Sequence, residues 1–201
     1  SRLDRDILED ELKNSLKRLN PLLPQSARTE AYKQTLHGGS TDIMEKNKVK
    51  VNENSKGYNE FRKALYKVNE ELAKLIAKDG EGATKLIEVS VIGAKTLKDA
   101  KKVSKSVVTS SLFKAAVFGG DPNWGRILCA VGYSEAEIMI DKVSIYLKGG
   151  DIKVQVAKNG MAIEFDEIKA ANTLKNEKVE IIIELNDGEF NATAWGCDLS
   201  Y

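Results

Sequence analysis

The stretch Asp79-Gly80-Glu81-Gly82-Ala83-Thr84-Lys85 constrains this chain most, because it joins two unlike periodicities. Upstream, Tyr58, Phe61, Leu65, Val68, Leu72 and Leu75 recur three or four residues apart, which lines one helical face with apolar groups. Downstream, Leu86, Glu88, Ser90 and Ile92 alternate with Ile87, Val89 and Val91, the two-residue period of a strand. Between them two glycines flank one carboxylate, where a backbone needs either a positive φ or a close approach by another group. Taken alone, the stretch is explained by a helix stop with Gly80 at C′ and Glu81 as a solvated turn residue. A functional reading of Glu81 has to come from the rest of the chain.

Composition narrows the possibilities. The chain has 201 residues, 42% of them hydrophobic and 30% charged, enough for one domain over 1–201 with a substantial core. Its 31 basic and 30 acidic residues leave a net charge of +1, and the lysines are mixed with acids. No concentrated basic face for nucleic acid is visible. No window approaches the run of about 18 apolar residues that spans a membrane. Ser1-Arg2-Leu3-Asp4-Arg5-Asp6 is charged and lacks the apolar core of a signal peptide. Cys129 and Cys197 lie far apart in apolar surroundings, the pattern of buried, reduced thiols in a cytoplasmic protein. The one histidine, His37, sits beside Gly38-Gly39 in a stretch without period, so it reads as a loop residue. Zinc sites and Ser-His-Asp catalysis both draw on histidine. No metal or cofactor is therefore expected, and an enzyme built on this chain would activate its nucleophile without histidine.

Taken in order, residues 4–19 suit an amphipathic helix that Asp4 or Asp6 caps and Asn20-Pro21 ends. Residues 21–53 have little period and read as loop, with a short helix near 30–36. Asn54 or Ser55 opens the long helix, which runs to about Lys78. A strand is expected over 85–92, and Thr96 with Asp99 three residues on resembles a capping box for a second long helix. Leu112–Phe118 reads as a short buried strand. In the second dense turn, Gly119 to Arg126, Asp121 is the expected N-cap and Pro122 the first-turn residue of a short helix over 127–131. From Val143 the period becomes two, giving a hairpin through Gly149-Gly150 and a further turn at Lys158-Asn159-Gly160. Asp166 caps a helix over 167–175. Strands over 177–185 and 189–195 are joined by Asn186-Asp187-Gly188, a strong hairpin signal. The fold class is α+β, with long helices packed on an antiparallel-rich mixed sheet.

Four motifs then stand in register: Asp79 to Lys85; Ser110-Ser111-Leu112-Phe113-Lys114-Ala115; Gly120-Asp121-Pro122-Asn123-Trp124-Gly125-Arg126-Ile127-Leu128; and Ala194-Trp195-Gly196-Cys197-Asp198-Leu199. Together they resemble the β chain of the ornithine acetyltransferase family, also called bifunctional glutamate N-acetyltransferase, of arginine biosynthesis. The likeness runs from about Val49 to Tyr201, roughly three quarters of the chain. It implies a fold of the DmpA/ornithine acetyltransferase type and a precursor that cleaves itself before a threonine. The new N-terminus then carries the acetyl group in a ping-pong transfer from N-acetylornithine to glutamate, and some members also accept acetyl-CoA. The oxyanion donors belong to an α chain from the same precursor, so the resemblance implies activity only with that partner, in a heterotetramer. A free α-amino group, with a pKa of about 8, serves as base for its own side-chain hydroxyl, which suits a chain short of histidine.

Within this chain Glu81 matches the family's substrate-binding glutamate. For Asp121, Asn123 and Arg126 a structural reading, with Asp121 as a cap and Arg126 as a backbone-carbonyl or ion-pair partner, stands ahead of the alternative of substrate contact. Trp124 and Trp195 read as core or interface rather than ligand stackers. This chain begins Ser1-Arg2-Leu3 where the family's β chain begins Thr-Met-Leu. Gly39-Ser40-Thr41-Asp42 is a faint echo of a threonine- and aspartate-rich motif. Ser1 is the hydroxyl visible at the start and the candidate nucleophile. The sequence stops at Tyr201, before the family's C-terminal tail, whose asparagine and threonine contact substrate. The alternative is a catalytically silent, metabolite-binding or scaffold subunit of the same fold. Neither glycine-rich turn fits a phosphate-binding GxxxxGK[ST] or GxGxxG pattern.

Overall fold

The computed structural model describes residues 56–200. Ser1, His37, the helix expected over 4–19 and the segment 21–53 lie outside the described residues. The chain divides into two compact units, Ser1–Leu72 and Ala73–Tyr201. Helix α1, Lys56–Lys78, runs from the first into the second. Its apolar stripe is only partly covered among the described residues, with Val68 54% and Leu75 62% exposed.

The second unit is built on one six-stranded sheet. Its elements are β1 (Leu86–Ala94), α2 (Leu97–Thr109), α3 (Ser111–Phe118), α4 (Trp124–Gly132), β2 (Ser144–Gly149), β3 (Ile152–Lys158), β4 (Met161–Ala162), α5 (Glu167–Thr173), β5 (Lys178–Glu184) and β6 (Phe190–Cys197). The strand order is β4-β3-β2-β5-β1-β6. Only β1 and β5 run parallel; every other pairing is antiparallel. The α+β class and the antiparallel-rich sheet are as the sequence indicates.

Strand alternation decides where the core lies. Ile87, Val89 and Val91 of β1, Val179, Ile181 and Ile183 of β5, and Ile145 and Leu147 of β2 are buried on one face. Ala100, Val103 and Val107 of α2 are buried with them over β1 and β6, and α5 packs over β2 and β3 through Ala170. The other face is polar. Lys178 bridges Glu88 (3.2 Å) and Glu180 (3.3 Å), Lys148 reaches Glu180 (3.3 Å), and the Trp195 indole donates to Glu88 (2.8 Å).

Helix α2 starts where Thr96 predicts. The Thr96 hydroxyl accepts from the Asp99 N–H (3.1 Å) and donates to the Asp99 carboxylate (2.6 Å). Thr96→Ala removes both bonds, and a lost N-cap costs about 1 kcal/mol. A urea titration of this variant is expected to show that drop with an unchanged slope; no shift of the midpoint would mean that water replaces the cap.

Two expectations about the elements fail. Leu112–Phe118 is not a strand but most of helix α3. The Ser110 hydroxyl accepts from the Phe113 N–H (3.4 Å), and Phe113, Ala116 and Val117 face inward while Leu112 is 64% exposed. That is a helical spacing, which an apolar run this short does not distinguish from a strand. Nor do β5 and β6 form a hairpin, because β1 lies between them. The Leu185 N–H donates to the Ile92 carbonyl (2.8 Å) and the Asp187 N–H to that of Gly93 (2.9 Å), so the 186–188 turn passes over the end of β1. Asn186, at φ 52°, supplies the left-handed residue that such a turn needs in either topology.

Candidate functional site

The glycine-flanked loop sits at one end of the sheet, where β1 begins between its two neighbours. Leu86 pairs with Cys197 of β6 and with Lys178 of β5. Helix α1 closes with the Asp79 N–H donating to the Leu75 carbonyl (3.0 Å), and the Ala83 N–H donates to the Gly80 carbonyl (3.0 Å). Glu81 stands on that turn, exposed, and makes no hydrogen bond or ion pair among the described residues.

The glycines have separate reasons. A Cβ on Gly80 would stand 2.7 Å from the Cys197 sulfur, so its role is close approach rather than the left-handed C′ of a helix stop. Gly82 has φ +70°, and a Cβ there would stand 2.5 Å from the Ser200 hydroxyl. Both requirements of the sequence pattern, positive φ and close approach, are met within one turn.

Asp198 locks the loop. Its side chain is fully buried. It accepts from the Thr84 N–H (2.8 Å), the Thr84 hydroxyl (2.5 Å) and the Lys85 N–H (2.9 Å), and it pairs with the Lys85 ammonium at 3.6 Å. Burial pushes its carboxyl upward, but the Thr84 and Lys85 donors and the Lys85 charge outweigh it, leaving the carboxyl below its ordinary value. Lys85 also donates to the Phe118 carbonyl (3.2 Å) and lies 5.6 Å from the centre of the Phe118 ring. It therefore sits at the negative end of α3. The Leu199 N–H donates to the Lys114 carbonyl at 3.3 Å. The loop, the end of β6 and helix α3 are tied at one point.

The second dense turn has its own geometry. Asn123, not Asp121, caps α4: its side-chain oxygen accepts from the Arg126 N–H (3.1 Å), while Asp121 accepts from the Asn123 amide (3.1 Å). Asp121 is not the cap because the helix begins only at Trp124, three residues on. Arg126 donates to the Leu112 carbonyl (2.8 Å), the structural role its sequence context suggests. Asp121, Asn123, Trp124, Phe165 and Glu167 help line an open cleft of about 570 Å³. Cys129 is exposed and Cys197 half-buried, which overturns the expectation of two buried thiols. Cys129 falls on the outer face of α4, whose inner face is Ile127, Ala130 and Val131.

Sequence reasoning picked out Glu81 but gave Asp198 no role. A carboxylate between Cys197 and Leu199, just past a strand, was the available signal: such a group either ends in solvent or is buried with its partners. Among the described residues no helix is long and apolar enough to cross a membrane.

This α+β chain has a solved counterpart. The arginine biosynthesis bifunctional protein ArgJ of Bacillus halodurans is 43% identical, with a TM-score of 0.70 over 75% of this chain and 70% of that one. Across residues 38–201 the chain matches the ArgJ family, and it belongs to that family. The arginine biosynthesis bifunctional protein ArgJ 1 of Clostridium acetobutylicum is 46% identical over 202 residues, 99% of this chain and 48% of the relative. The ArgJ protein of Caldanaerobacter subterraneus subsp. tengcongensis is 54% identical over 79% of this chain and 39% of its own length. The glutamate N-acetyltransferase of Methanocaldococcus jannaschii is 49% identical over 71% and 36% respectively. The chain thus spans about half, or less, of the length of these curated relatives.

Proposed function

We propose that this chain is the β-chain part of a cytoplasmic N-acetyltransferase of arginine biosynthesis that moves an acetyl group from N-acetylornithine to glutamate through an acetyl-enzyme, with acetyl-CoA as a further donor. The observation that carries the proposal is Glu81: an exposed carboxylate without a partner among the described residues, between the end of helix α1 and the Thr84-Lys85 backbone that Asp198 holds, in a chain about half identical to proteins named for this pathway. Both substrates carry groups that a fixed carboxylate orients: ornithine-type donors have an amine, and glutamate has an α-ammonium. A charge-assisted pair of that kind contributes about 1.5–3 kcal/mol, and a rigid mount spares the cost of ordering the carboxylate when substrate arrives.

The remaining parts come from elsewhere. An N-terminal hydroxyl, for which Ser1 is the candidate, takes the acetyl group with its own α-amine as base, and an α chain supplies the oxyanion donors. Mass spectrometry of the assembled enzyme after incubation with N-acetylornithine is expected to find the acetyl adduct on the peptide that holds this hydroxyl. An adduct on another peptide would remove Ser1.

For Glu81, steady-state kinetics of Glu81→Gln in the assembled enzyme is the test. The fold should be kept and kcat/KM should fall about ten- to a hundredfold. Unaltered kcat/KM for both substrates would reject the binding role and leave a silent scaffold as the better reading.

A further inference from the structure

We propose that Asp198 is the positioning residue of this site, fixing through Thr84 and Lys85 the loop that presents Glu81. The proposal rests on the reading of Glu81 as the substrate-binding carboxylate.

A buried aspartate at the end of a strand ordinarily satisfies the backbone of its own neighbourhood. Asp198 spends its acceptors otherwise. Its hydrogen bonds go to Thr84 and Lys85, more than a hundred residues away in sequence and just beyond Glu81. Its two neighbours in the same stretch complete the support. Cys197 lies under Gly80 and Ser200 under Gly82, so a side chain on either glycine would have to displace the cysteine sulfur or the serine hydroxyl. Residues 197–200 thus hold the loop at three points: before Glu81, after it, and at the loop's exit into β1. The Ala83 N–H to Gly80 carbonyl bond closes the turn between those points. The loop backbone is held by these contacts, while the Glu81 carboxylate at its apex stays exposed. That is the division expected of a site in which the supporting shell is rigid and the binding group is free for its ligand.

This arrangement predicts a coupling that a stabilising role alone does not produce. If Asp198 acts by placing Glu81, its loss matters to catalysis only while Glu81 is present to be misplaced. The test is a double-mutant cycle of Asp198→Asn and Glu81→Gln in the assembled enzyme, read as kcat/KM for the amine-bearing substrate. Asp198→Asn keeps the size of the side chain and one acceptor oxygen but not the acceptance of the Thr84 hydroxyl together with both N–H groups. It is expected to lower kcat/KM about tenfold in the wild-type background and by less than about twofold in the Glu81→Gln background. A tenfold loss in both backgrounds, or in neither, would overturn the positioning role while leaving Glu81 in place. If Glu81→Gln is itself silent, the reading of Glu81 falls, which the cycle shows separately. Should Asp198→Asn fail to fold, Thr84→Val and Thr84→Ser replace it. Valine removes the hydroxyl donor at nearly constant size and is expected to lose activity only when Glu81 is present; serine keeps the donor and is expected to restore most of that loss. Equal activity of the two Thr84 variants would overturn the proposal.

Discussion

Ile181→Ala is expected to lower the unfolding free energy by about 4 kcal/mol, near the upper part of the range for truncating a buried isoleucine. Ile181 is fully buried in β5, the strand that β1 and β2 flank. Its register partners are Val89 on one side and Leu147 on the other, both buried on the same face. Hydrogen-bonded strands on both sides keep the backbone from closing over the space that the lost atoms leave, so most of the cavity persists and its cost adds to the transfer term. Ile182, next in the chain, points to the polar face and is only half-buried. Ile182→Ala is expected to cost about 1 kcal/mol, since less apolar surface returns to water. Urea midpoints of the two variants test the assignment of faces. Equal losses would mean that the second face is covered as well as the first.

That alternation is what made the sheet legible in the sequence. Buried Ile, Val and Leu at every second position across 86–92 and 179–185 carry the strand period and the choice of face together. Helix α2 was equally visible, because Thr96 and Asp99 form their cap within four residues and need nothing from the rest of the fold. What failed was decided at long range. Leu112–Phe118 is apolar enough for either period, and only the Ser110 cap and the packing of Phe113 select helix. Asn186-Asp187-Gly188 supplies turn chemistry but not the identity of the partner strand. That identity is set by β1, which lies almost a hundred residues earlier and takes the place between β5 and β6.

The same contrast runs through the site. The glycines around Glu81 announced a constrained backbone, and both constraints are present. The groups that impose them, Cys197, Asp198 and Ser200, stand more than a hundred residues downstream. Nothing local to Asp198 says which residues it will bind. A lone carboxylate beside apolar neighbours is compatible with an exposed strand end until the sheet brings the 79–85 loop to it. Local rules therefore located the glycine-flanked loop, while the group that fixes it emerged only with the pairing of Leu86 and Cys197.

Asp198→Ala, which removes that group, is expected to cost about 3 kcal/mol at neutral pH. The substitution strands the Thr84 N–H, the Lys85 N–H and the Thr84 hydroxyl, and it leaves the Lys85 ammonium beside an emptied pocket. Each buried donor left unpaired costs about 1–3 kcal/mol. The sum is reduced because Thr84 is exposed and Lys85 keeps its bond to the Phe118 carbonyl, so water and rearrangement recover part of it. The pH dependence separates this from a simple loss of packing. The folded carboxyl lies below its ordinary value, which is about 3.9 for aspartate. A depressed folded pKa gives stability that is fully present above the unfolded value and disappears as pH falls through the folded one. The difference between wild type and Asp198→Ala should therefore stay constant from pH 7 down to about 4 and narrow only below that, as the wild-type carboxylate takes up a proton and loses its acceptance of both N–H groups. Thermal melts of the two proteins across this range measure the difference directly. A gap that widened as pH fell through about 6 would require a carboxyl raised by burial rather than held down by its donors. A gap unchanged well below pH 3 would mean that the charge contributes nothing and that shape alone holds the loop.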